Sequence, residues 1–457
     1  MNSIDNIIYK KLQEKQRLFL NKKIGFKRKS FEMAIKNLEM PNVNLIAIRG
    51  LCGTGKTTLL RQIYENLLEN VSPENIIYFS FDEYITRNIK FLARLLELIV
   101  PMERRTYFYV LLDEIQYVKN WQGVIKEYVD FYPNVKIIAS ESSAVFTKNK
   151  IDESLTQRNH EIHVEKLSFN EFVNISKLTE FKLEEVFNLK QFLLNPDSKT
   201  FQKIQKKWAL IKRKALLVFL KYQFYGQFPE ALEYGEIQDK YRYINEGIYK
   251  KLTEEDLPLL CEVENVLEFN RLYQILVESS DSYLEIINLS RELGISQNTL
   301  KRYLNILENS YLLGDHLSFH ESLRKRSRAK QKKYIISTNF YAARNNLSSN
   351  FAEPQVLENL LKTSFYWELK KSFAFNFFFY KDKKKIDFLC TDDPLFKKMI
   401  PIEVKYKSVI TKNDFKIMES YLNKNRIENG FIFALSTGKI DLGKKRTLWL
   451  LPAPLFL

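Results

Sequence analysis

Short runs of apolar, β-prone residues alternate with amphipathic helical segments through the first third of the chain. The runs begin near Leu45, Ile76, Tyr107 and Val135. A continuous apolar run is typical of a strand buried on both faces, and strands that alternate with helices are typical of parallel βαβ units. The pattern predicts an α/β domain with a doubly wound parallel sheet over residues 41–172, after a helical lead-in at 1–40.

Helical periodicity dominates after this domain. Residues 173–264 are rich in lysine, as between Lys203 and Lys221, and predict a helical linker or lid. Residues 265–320 contain three amphipathic segments, and Gly294 and Ser296 between the second and third predict a tight turn and an N-cap. Helix, glycine turn and helix are typical of a helix-turn-helix.

Two short apolar segments, Tyr311–Leu313 and His316–Phe319, then predict the strands of a small β-wing. Asn298, Lys301 and Arg302 are expected to face outward on the third helix, where they could meet phosphates or base edges. The same winged helix-turn-helix would serve equally as a packing or oligomerisation module, because a fold alone does not specify a function.

The stretch from Gly50 to Thr57 reads GLCGTGKT and lies between the first predicted strand and a helical segment. Glycines let the backbone bend and point its N–H groups at phosphate oxygens, and the following helix directs its positive end at the same anion. In such a phosphate-binding loop the lysine reaches the β- and γ-phosphates, and the last hydroxyl ligates Mg²⁺. The predicted ATP contacts are Gly50, Gly53, Thr54, Gly55, Lys56, Thr57 and Thr58.

The third apolar run ends in Asp113 and Glu114. Because the carboxyl ends of parallel strands meet at one edge of a sheet, this acidic pair is expected beside the phosphate loop. We interpret Asp113 as a ligand of the Mg²⁺ shell, together with Thr57, and Glu114 as the residue that orients or deprotonates the attacking water. Ser140, at the end of the fourth run, is predicted to sense the γ-phosphate.

Several of these segments carry a family resemblance. The acidic pair followed by Ile115-Gln116, the run from Ser140 to Ser143, and Arg158 ahead of the segment Leu167–Phe172 resemble archaeal and bacterial AAA+-type ATPases. The resemblance implies that Arg158 acts on the γ-phosphate, and a surface salt bridge is the alternative role for this residue. Glu141 departs from the family pattern, in which a glycine is usual at this position.

A second group of charged residues lies in the segment 321–457. Ile386–Leu389 is a predicted strand that carries Asp387, and Met399–Lys405 is another that places Glu403 and Lys405 on one face. An upstream predicted helix, Gln355–Glu368, offers Glu358. This order resembles the PD-(D/E)xK restriction-endonuclease superfamily.

That resemblance implies a metal-dependent nuclease. Asp387 and Glu403 would hold Mg²⁺ or Mn²⁺, Lys405 would steady the attacking water, and Glu358 would support the metal shell. Two alternatives stay open, an edge hairpin with ordinary charged faces and a nuclease-like fold without activity. The whole order of segments resembles prokaryotic ATPases with a winged helix and a C-terminal nuclease-like domain.

Composition narrows the class of protein. The chain has 457 residues, 45% of them hydrophobic, and a formal net charge of +16, which favours a polyanionic partner, DNA first. Its three cysteines lie far apart and imply neither a disulfide framework nor a zinc site. With no long apolar run and a polar N-terminus, we expect a cytoplasmic protein without a membrane segment, and a homo-oligomer stays open.

The sequence therefore predicts an ATP-hydrolysing switch, with Mg²⁺, that controls either a metal-dependent nuclease or a nucleic-acid-binding module at the C-terminus. One rival is a nucleotide-dependent regulator that binds DNA or protein and whose nuclease-like domain is inactive. Another is an ATPase that remodels proteins, for which the basic surface is incidental.

Overall fold

The computed structural model describes residues 3–21, 25–100, 107–142, 159–176, 178, 187–319, 331–348, 352–373, 377–381 and 385–457. The chain divides into two compact units. Unit 1 comprises Met1–Lys166 and Asp256–Glu262, and unit 2 comprises Leu167–Glu255 and Val263–Leu457. The finer division into five segments stays a prediction.

Unit 1 is built on a five-stranded parallel sheet with the strand order β2-β3-β4-β1-β5. Its strands are β1 Leu45–Gly50, β2 Ile76–Ser80, β3 Phe108–Asp113, β4 Val135–Ser142 and β5 Asn159–His163. Its helices are α1 Ser3–Leu20, α2 Lys29–Leu38, α3 Lys56–Leu67, α4 Ile89–Ile99 and α5 Trp121–Phe131, with a further turn at Leu257–Leu260. The predicted doubly wound parallel sheet is confirmed.

Alternate side chains of the internal strand β3 enter two separate cores. Val110 packs in the same buried cluster as Leu95 of α4 and Ile125 of α5. Leu111, the next residue, packs in the cluster that contains Leu60 of α3. Because helices cover both faces of the sheet, both alternating sets of strand residues must be apolar, which explains the continuous runs in the sequence.

Unit 2 contains two sheets. The larger is mixed, with the order β13-β14-β12-β11-β10-β9, and the smaller is antiparallel, with the order β6-β8-β7. The strands are β6 Ser282–Tyr283, β7 Leu313–Leu317, β8 Gln331–Ile335, β9 Phe377–Lys381, β10 Lys385–Cys390, β11 Ile400–Val404, β12 Asn429–Ala434, β13 Gly438–Asp441 and β14 Thr447–Pro452.

Several helices of unit 2 lie in the segment 173–264, which the sequence predicted to be a linker or lid. They are α6 Phe169–Ser176, α7 Leu189–Leu194, α8 Ser198–Tyr225, α9 Ile237–Arg242, α10 Val266–Glu278, α11 Ile286–Leu293, α12 Gln297–Asn309, α13 Thr338–Arg344, α14 Pro354–Phe373 and α15 Lys412–Asn425, with a π-helix at Tyr243–Asp256. Phe172 of α6 and Phe219 of α8 share one buried cluster with Ile402 and Trp449 of the large sheet. The linker therefore contributes to the core of unit 2.

The strand boundaries differ from those predicted for the β-wing. Tyr311–Leu313 and His316–Phe319 do not form two strands, since Leu313, His316 and Leu317 belong to the single strand β7. The partner of β7 in the hairpin is β8, which follows the Arg- and Lys-rich segment. Pairing along β8 keeps Leu313–Leu317 extended, and the ring of His316 on this strand is buried among aromatic rings such as Phe377 and Phe388.

The preceding helix pair agrees with its predicted boundaries. Helix α11 ends at Gly294, which takes a left-handed conformation with φ 68°. The Ser296 hydroxyl accepts a hydrogen bond from the Thr299 N–H and so caps α12. Asn298, Lys301 and Arg302 are exposed on α12, and Arg302 pairs with Glu264 at 2.8 Å.

Candidate nucleotide site and C-terminal charge cluster

The loop between β1 and α3 has the backbone of a phosphate cradle. Gly53 and Gly55 take φ 77° and φ 101°, values that glycine adopts without a steric penalty. A Cβ at Gly50 would lie 2.2 Å from the carbonyl oxygen of Val164, so no other residue fits there without a backbone shift. The glycines are therefore required by the turn and by the close approach of the two chain segments.

Lys56 and Thr54 are both held by the loop itself. The Lys56 side chain is buried, and its Nζ donates a hydrogen bond to the Leu51 carbonyl at 3.1 Å. The Thr54 hydroxyl donates to the same carbonyl at 2.8 Å, and Arg28, which follows α1, donates to the Thr54 carbonyl at 3.1 Å. The Lys56 ammonium thus lies in the loop, with further N–H donors for an anion.

Three hydroxyl groups surround the Asp113 carboxylate. Thr57 donates to it at 2.7 Å and Tyr78 at 3.1 Å, and Ser140 donates to its other oxygen. Burial, with the charge of Glu114 second, raises the pKa of Asp113. The Thr57 hydroxyl and the Asp113 carboxylate are oxygen ligands of the kind that Mg²⁺ uses together with phosphates, so these residues fit the ion.

Glu114 is fixed by a network that involves Gln116. Its backbone is left-handed, with φ 55°, and its N–H donates to the Ser140 hydroxyl at 3.1 Å. The Gln116 side chain donates to the Glu114 carboxylate and accepts a hydrogen bond from the Ser142 N–H at 3.1 Å. The network places the Glu114 carboxylate beside Asp113, at the carboxyl end of the sheet.

The structure also explains how the charge of the unusual Glu141 is accommodated. Its carboxylate pairs with Arg49 of β1, the residue that lies opposite it in the parallel register. Arg49 binds Glu161 of β5 as well, at 2.6 Å. The ion pair offsets the negative charge of Glu141 within the sheet.

The remaining predicted residues of this site have different outcomes. Thr58 is half-buried on α3. Its methyl group lies close to Gly25, since a Cβ added to that glycine would be 3.3 Å from it. Arg158 and Ser143 lie outside the described residues. Sequence reasoning missed Tyr78 and Arg28, whose contacts join distant parts of the chain and leave no local pattern.

The four charged residues predicted near the C-terminus lie together in unit 2. Asp387 on β10 and Glu403 on β11 are buried and adjacent, since Phe388 pairs with Ile402 in the antiparallel register. Lys405 follows β11 and its Nζ lies 3.0 Å from Glu403. Glu358 on α14 accepts a hydrogen bond from the Tyr406 N–H at 3.4 Å.

Two further lysines belong to the same cluster. Lys362, one turn after Glu358, lies 2.9 Å from Glu358 and 3.4 Å from Asp387, and Lys385 lies 3.9 Å from Asp387. Burial alone would raise the pKa of Asp387, but Lys362, Lys405 and Lys385 outweigh it and lower that pKa to about 2. Burial, with the neighbouring Asp387 charge, raises the pKa of Glu403 to about 8.

Sequence reasoning missed Lys362, although its spacing from Glu358 is that of an ion pair on one helix face. Among the residues that the structure describes, no group of three His, Cys, Asp or Glu side chains is placed to hold a metal ion. The ion-pair distances show that Glu358, Asp387 and Glu403 each have a lysine ammonium as a neighbour. In the same described ranges, no helix is long and apolar enough to cross a membrane.

Three family models match successive parts of the chain. Residues 42–173 match an AAA domain, residues 217–350 match a domain of unknown function (DUF8612), and residues 349–456 match another domain of unknown function (DUF4143). Similar proteins include two uncharacterised proteins of Methanocaldococcus jannaschii and one of Haemophilus influenzae.

The first Methanocaldococcus protein is 27% identical over 85% of this chain and 81% of its own length. The second is 24% identical over 93% of this chain and 89% of its own length. The Haemophilus protein is 24% identical over 58% of this chain and 60% of its own length.

Solved structures with detectable similarity include those of two other proteins. The Thermotoga maritima RuvB Holliday junction branch migration motor is 16% identical with a TM-score of 0.28, over 65% of this chain and 93% of that chain. The Aeropyrum pernix ORC1 protein in complex with DNA is 13% identical with a TM-score of 0.33, over 71% of this chain and 92% of that chain. The domain match and the geometry of the loop agree: the chain carries a P-loop ATPase domain similar to AAA domains.

Proposed function

We propose that the protein is an ATP-hydrolysing switch whose nucleotide state controls nucleic-acid binding by unit 2. The observation that carries the ATPase part is the contact between the Thr57 hydroxyl and the Asp113 carboxylate at 2.7 Å, beside the buried Lys56. This pairing brings the two predicted ligands of Mg²⁺ to one point at the mouth of the glycine loop.

Each residue of the site has a task in this proposal. The loop N–H groups and Lys56 bind the β- and γ-phosphates, and Thr57 with Asp113 holds Mg²⁺, which supplies positive charge against the phosphate oxygens. Ser140 fixes both Asp113 and the backbone of Glu114, so it positions the two carboxylates relative to each other. Glu114, held by Gln116, accepts the proton of the attacking water. Arg158 is proposed to stabilise the γ-phosphate charge.

The chain offers a route between the ATP site and unit 2. Tyr117, three residues after Glu114, donates a hydrogen bond to Asp256, the last residue of the π-helix Tyr243–Asp256. Asp256–Glu262 belongs to unit 1, although unit 2 supplies the chain on both sides of it. A change at Glu114 therefore has a short covalent and hydrogen-bonded path to a segment that continues into unit 2.

Nucleic-acid binding is supported by the surface of unit 2. Helix α8 has no acidic residue along its 28 residues, and its charged residues are all basic. The α8 basic face is defined here as the exposed basic residues of this helix, which are Lys199, Lys203, Lys206, Arg213, Lys214 and Lys221. A row of exposed cations without acidic neighbours on the same helix fits the phosphates of DNA, the favoured partner. Asn298 and Lys301 of α12 are exposed as well and would provide contacts to base edges.

Two properties test this proposal together. ATP turnover and the retention of labelled duplex DNA should be measured at several salt concentrations, since a protein that binds phosphates loses affinity steeply as salt rises. The triple variant Lys203→Glu, Lys206→Glu, Lys221→Glu should lose DNA retention and keep basal ATP turnover. A matched control reverses Lys412 and Lys416, two exposed lysines of α15. Equal retention by both variants would remove the α8 basic face from the proposal.

The coupling has its own test. Tyr117→Phe removes only the hydroxyl that binds Asp256. We expect basal ATP turnover within about twofold of wild type. This hydroxyl has no role in proton transfer, and only the loss of a proton-transfer group would lower turnover about 100-fold. DNA should no longer change the turnover rate of this variant. An unchanged response to DNA would exclude the Tyr117–Asp256 contact as the route.

The sequence left two functions open for unit 2, an active nuclease and a regulator that does not cleave nucleic acid. We propose the regulator. The pairing of each cluster carboxylate with a lysine supports this choice. Cleavage of supercoiled DNA with Mg²⁺ or Mn²⁺ that disappears in Asp387→Ala would reverse the choice. A protein-remodelling ATPase would show ATP turnover without salt-sensitive retention of DNA.

A further inference from the structure

Lys362 lies between two of the carboxylates that would have to share a metal ion. Its Nζ is 2.9 Å from a Glu358 oxygen and 3.4 Å from an Asp387 oxygen. The side chain of Lys362 is 7% exposed, and those of Glu358 and Asp387 are 16% and 6% exposed. A buried ammonium in contact with both acids stands where a bridging cation would have to bind.

The oxygens of these two acids are also engaged by backbone donors. The second oxygen of Asp387 accepts a hydrogen bond from the Val404 N–H at 3.1 Å, and the second oxygen of Glu358 accepts one from the Tyr406 N–H at 3.4 Å. Glu403 is bound by Lys405 at 3.0 Å. A divalent ion needs several free oxygen ligands at short distance, and this arrangement leaves few of them.

The cluster already contains its own cations. Three acidic groups, Glu358, Asp387 and Glu403, face three lysines, Lys362, Lys385 and Lys405, so the ammonium groups are at least as many as the carboxylates in this mostly buried place. An added divalent cation would meet three ammonium groups in a region of low dielectric, where repulsion is strong. The donor set therefore does not fit Mg²⁺ or Mn²⁺, contrary to the expectation from the sequence.

We propose that Lys362 is a built-in counter-cation that replaces the metal ion and closes the cluster to Mg²⁺ and Mn²⁺. The cluster then joins parts of unit 2. Lys362 ties α14 to β10 through Asp387, and its neighbour Thr363 hydrogen-bonds Ser280, which precedes β6, at 2.9 Å. A set of residues with the pattern of a nuclease site serves as an internal joint between the large sheet, α14 and the small sheet.

Binding of Mn²⁺ to the full chain, followed by electron paramagnetic resonance without nucleotide, tests this inference independently of DNA binding. Every protein carries Asp113→Asn, so that the nucleotide site does not contribute a ligand. Lys362→Met keeps most of the apolar side chain and removes the charge. Lys371→Met, an exposed lysine on the same helix, is the matched control.

The proposal expects no Mn²⁺ bound to the parent chain or to Lys371→Met. It expects one additional Mn²⁺ per chain in Lys362→Met, and loss of that ion when Asp387→Asn is added. Two results would overturn it: no gain of Mn²⁺ in a folded Lys362→Met protein, or an ion in the parent chain that Glu403→Gln removes. The second result needs no Lys362 variant, so the test holds even if Lys362→Met fails to fold.

Discussion

Asp113 in unit 1 and Asp387 in unit 2 are both buried aspartates on β-strands, but different chemical groups contact their carboxylates. Three hydroxyl groups contact Asp113, and ammonium groups surround Asp387. Burial raises the pKa of Asp113, whereas the lysines lower that of Asp387 to about 2. Hydroxyl groups leave the negative charge available to a cation that arrives with a nucleotide, while lysines neutralise it within the fold.

The largest expected effect is on catalysis. Glu114→Gln should lower ATP turnover by about 100- to 10,000-fold, the usual contribution of a general base, and leave ATP affinity nearly unchanged. The matched change Glu403→Gln should leave turnover unchanged. Phosphate release measures the first quantity and calorimetry the second. Normal turnover in Glu114→Gln would remove Glu114 as the base.

The same substitution at the two aspartates should then affect stability differently. Asp387→Asn leaves buried lysines without their partner and should lower the free energy of unfolding of unit 2 by about 3–5 kcal/mol. Without nucleotide, Asp113→Asn should not lower the stability of unit 1, because the groups that hydrogen-bond its carboxylate are the hydroxyls of Thr57, Tyr78 and Ser140. Urea unfolding followed by tryptophan fluorescence reports unit 2 through Trp208, Trp367 and Trp449 and unit 1 through the buried Trp121, and it is measured on both variants. Equal losses in both variants would contradict the comparison.

Removing a lysine at each of the two sites should have different effects on ATP affinity. Lys56→Ala should weaken ATP binding about 100-fold, since truncating one partner of a buried charge pair costs about 2–5 kcal/mol. Lys405→Ala, in the other cluster, should leave ATP affinity unchanged. Titration calorimetry measures both. A Lys56→Ala protein with wild-type affinity would disprove the assignment of the loop.

The smallest expected effect is on how the stability of unit 2 depends on pH. Burial, with the charge of Lys332 second, lowers the pKa of His316 well below 6.5, and Asp387 and Lys385 act on the same ring. Below pH 6.5 the unfolded chain binds a proton that folded His316 does not, so stability falls with falling pH, by about 1.4 kcal/mol per pH unit. His316→Phe should flatten this dependence. Urea unfolding of wild type and variant at pH 7 and pH 5.5 would show it, and parallel pH curves would contradict the assignment.

Much of unit 1 could be predicted because its information is local. Strands β1 to β4 appear as continuous apolar runs, and the turn residues Gly53 and Gly55 lie directly between a strand and a helix. The contact of Thr57 with Asp113 follows from the rule that parallel strands gather their carboxyl ends at one edge.

Unit 2 was harder to predict, for reasons that its strands make clear. Strand β13 alternates between half-buried and exposed positions over four residues, and so it gives no apolar run. Strand β8 follows a basic segment that separates it from its partner β7, so the hairpin has no turn signal. Lys362 was visible as a helical neighbour of Glu358, but its meaning depends on Asp387 from a distant strand.

The left-handed backbone of Glu114 has a consequence for how the protein would respond to selection. A glutamate at φ 55° and ψ 38° is held in a conformation that asparagine and glycine tolerate better. Such strain costs on the order of 1 kcal/mol, and it persists where the surrounding contacts impose it. A library selected only for heat resistance should therefore enrich Glu114→Asn and Glu114→Gly, and the enriched proteins would be stable but unable to turn over ATP.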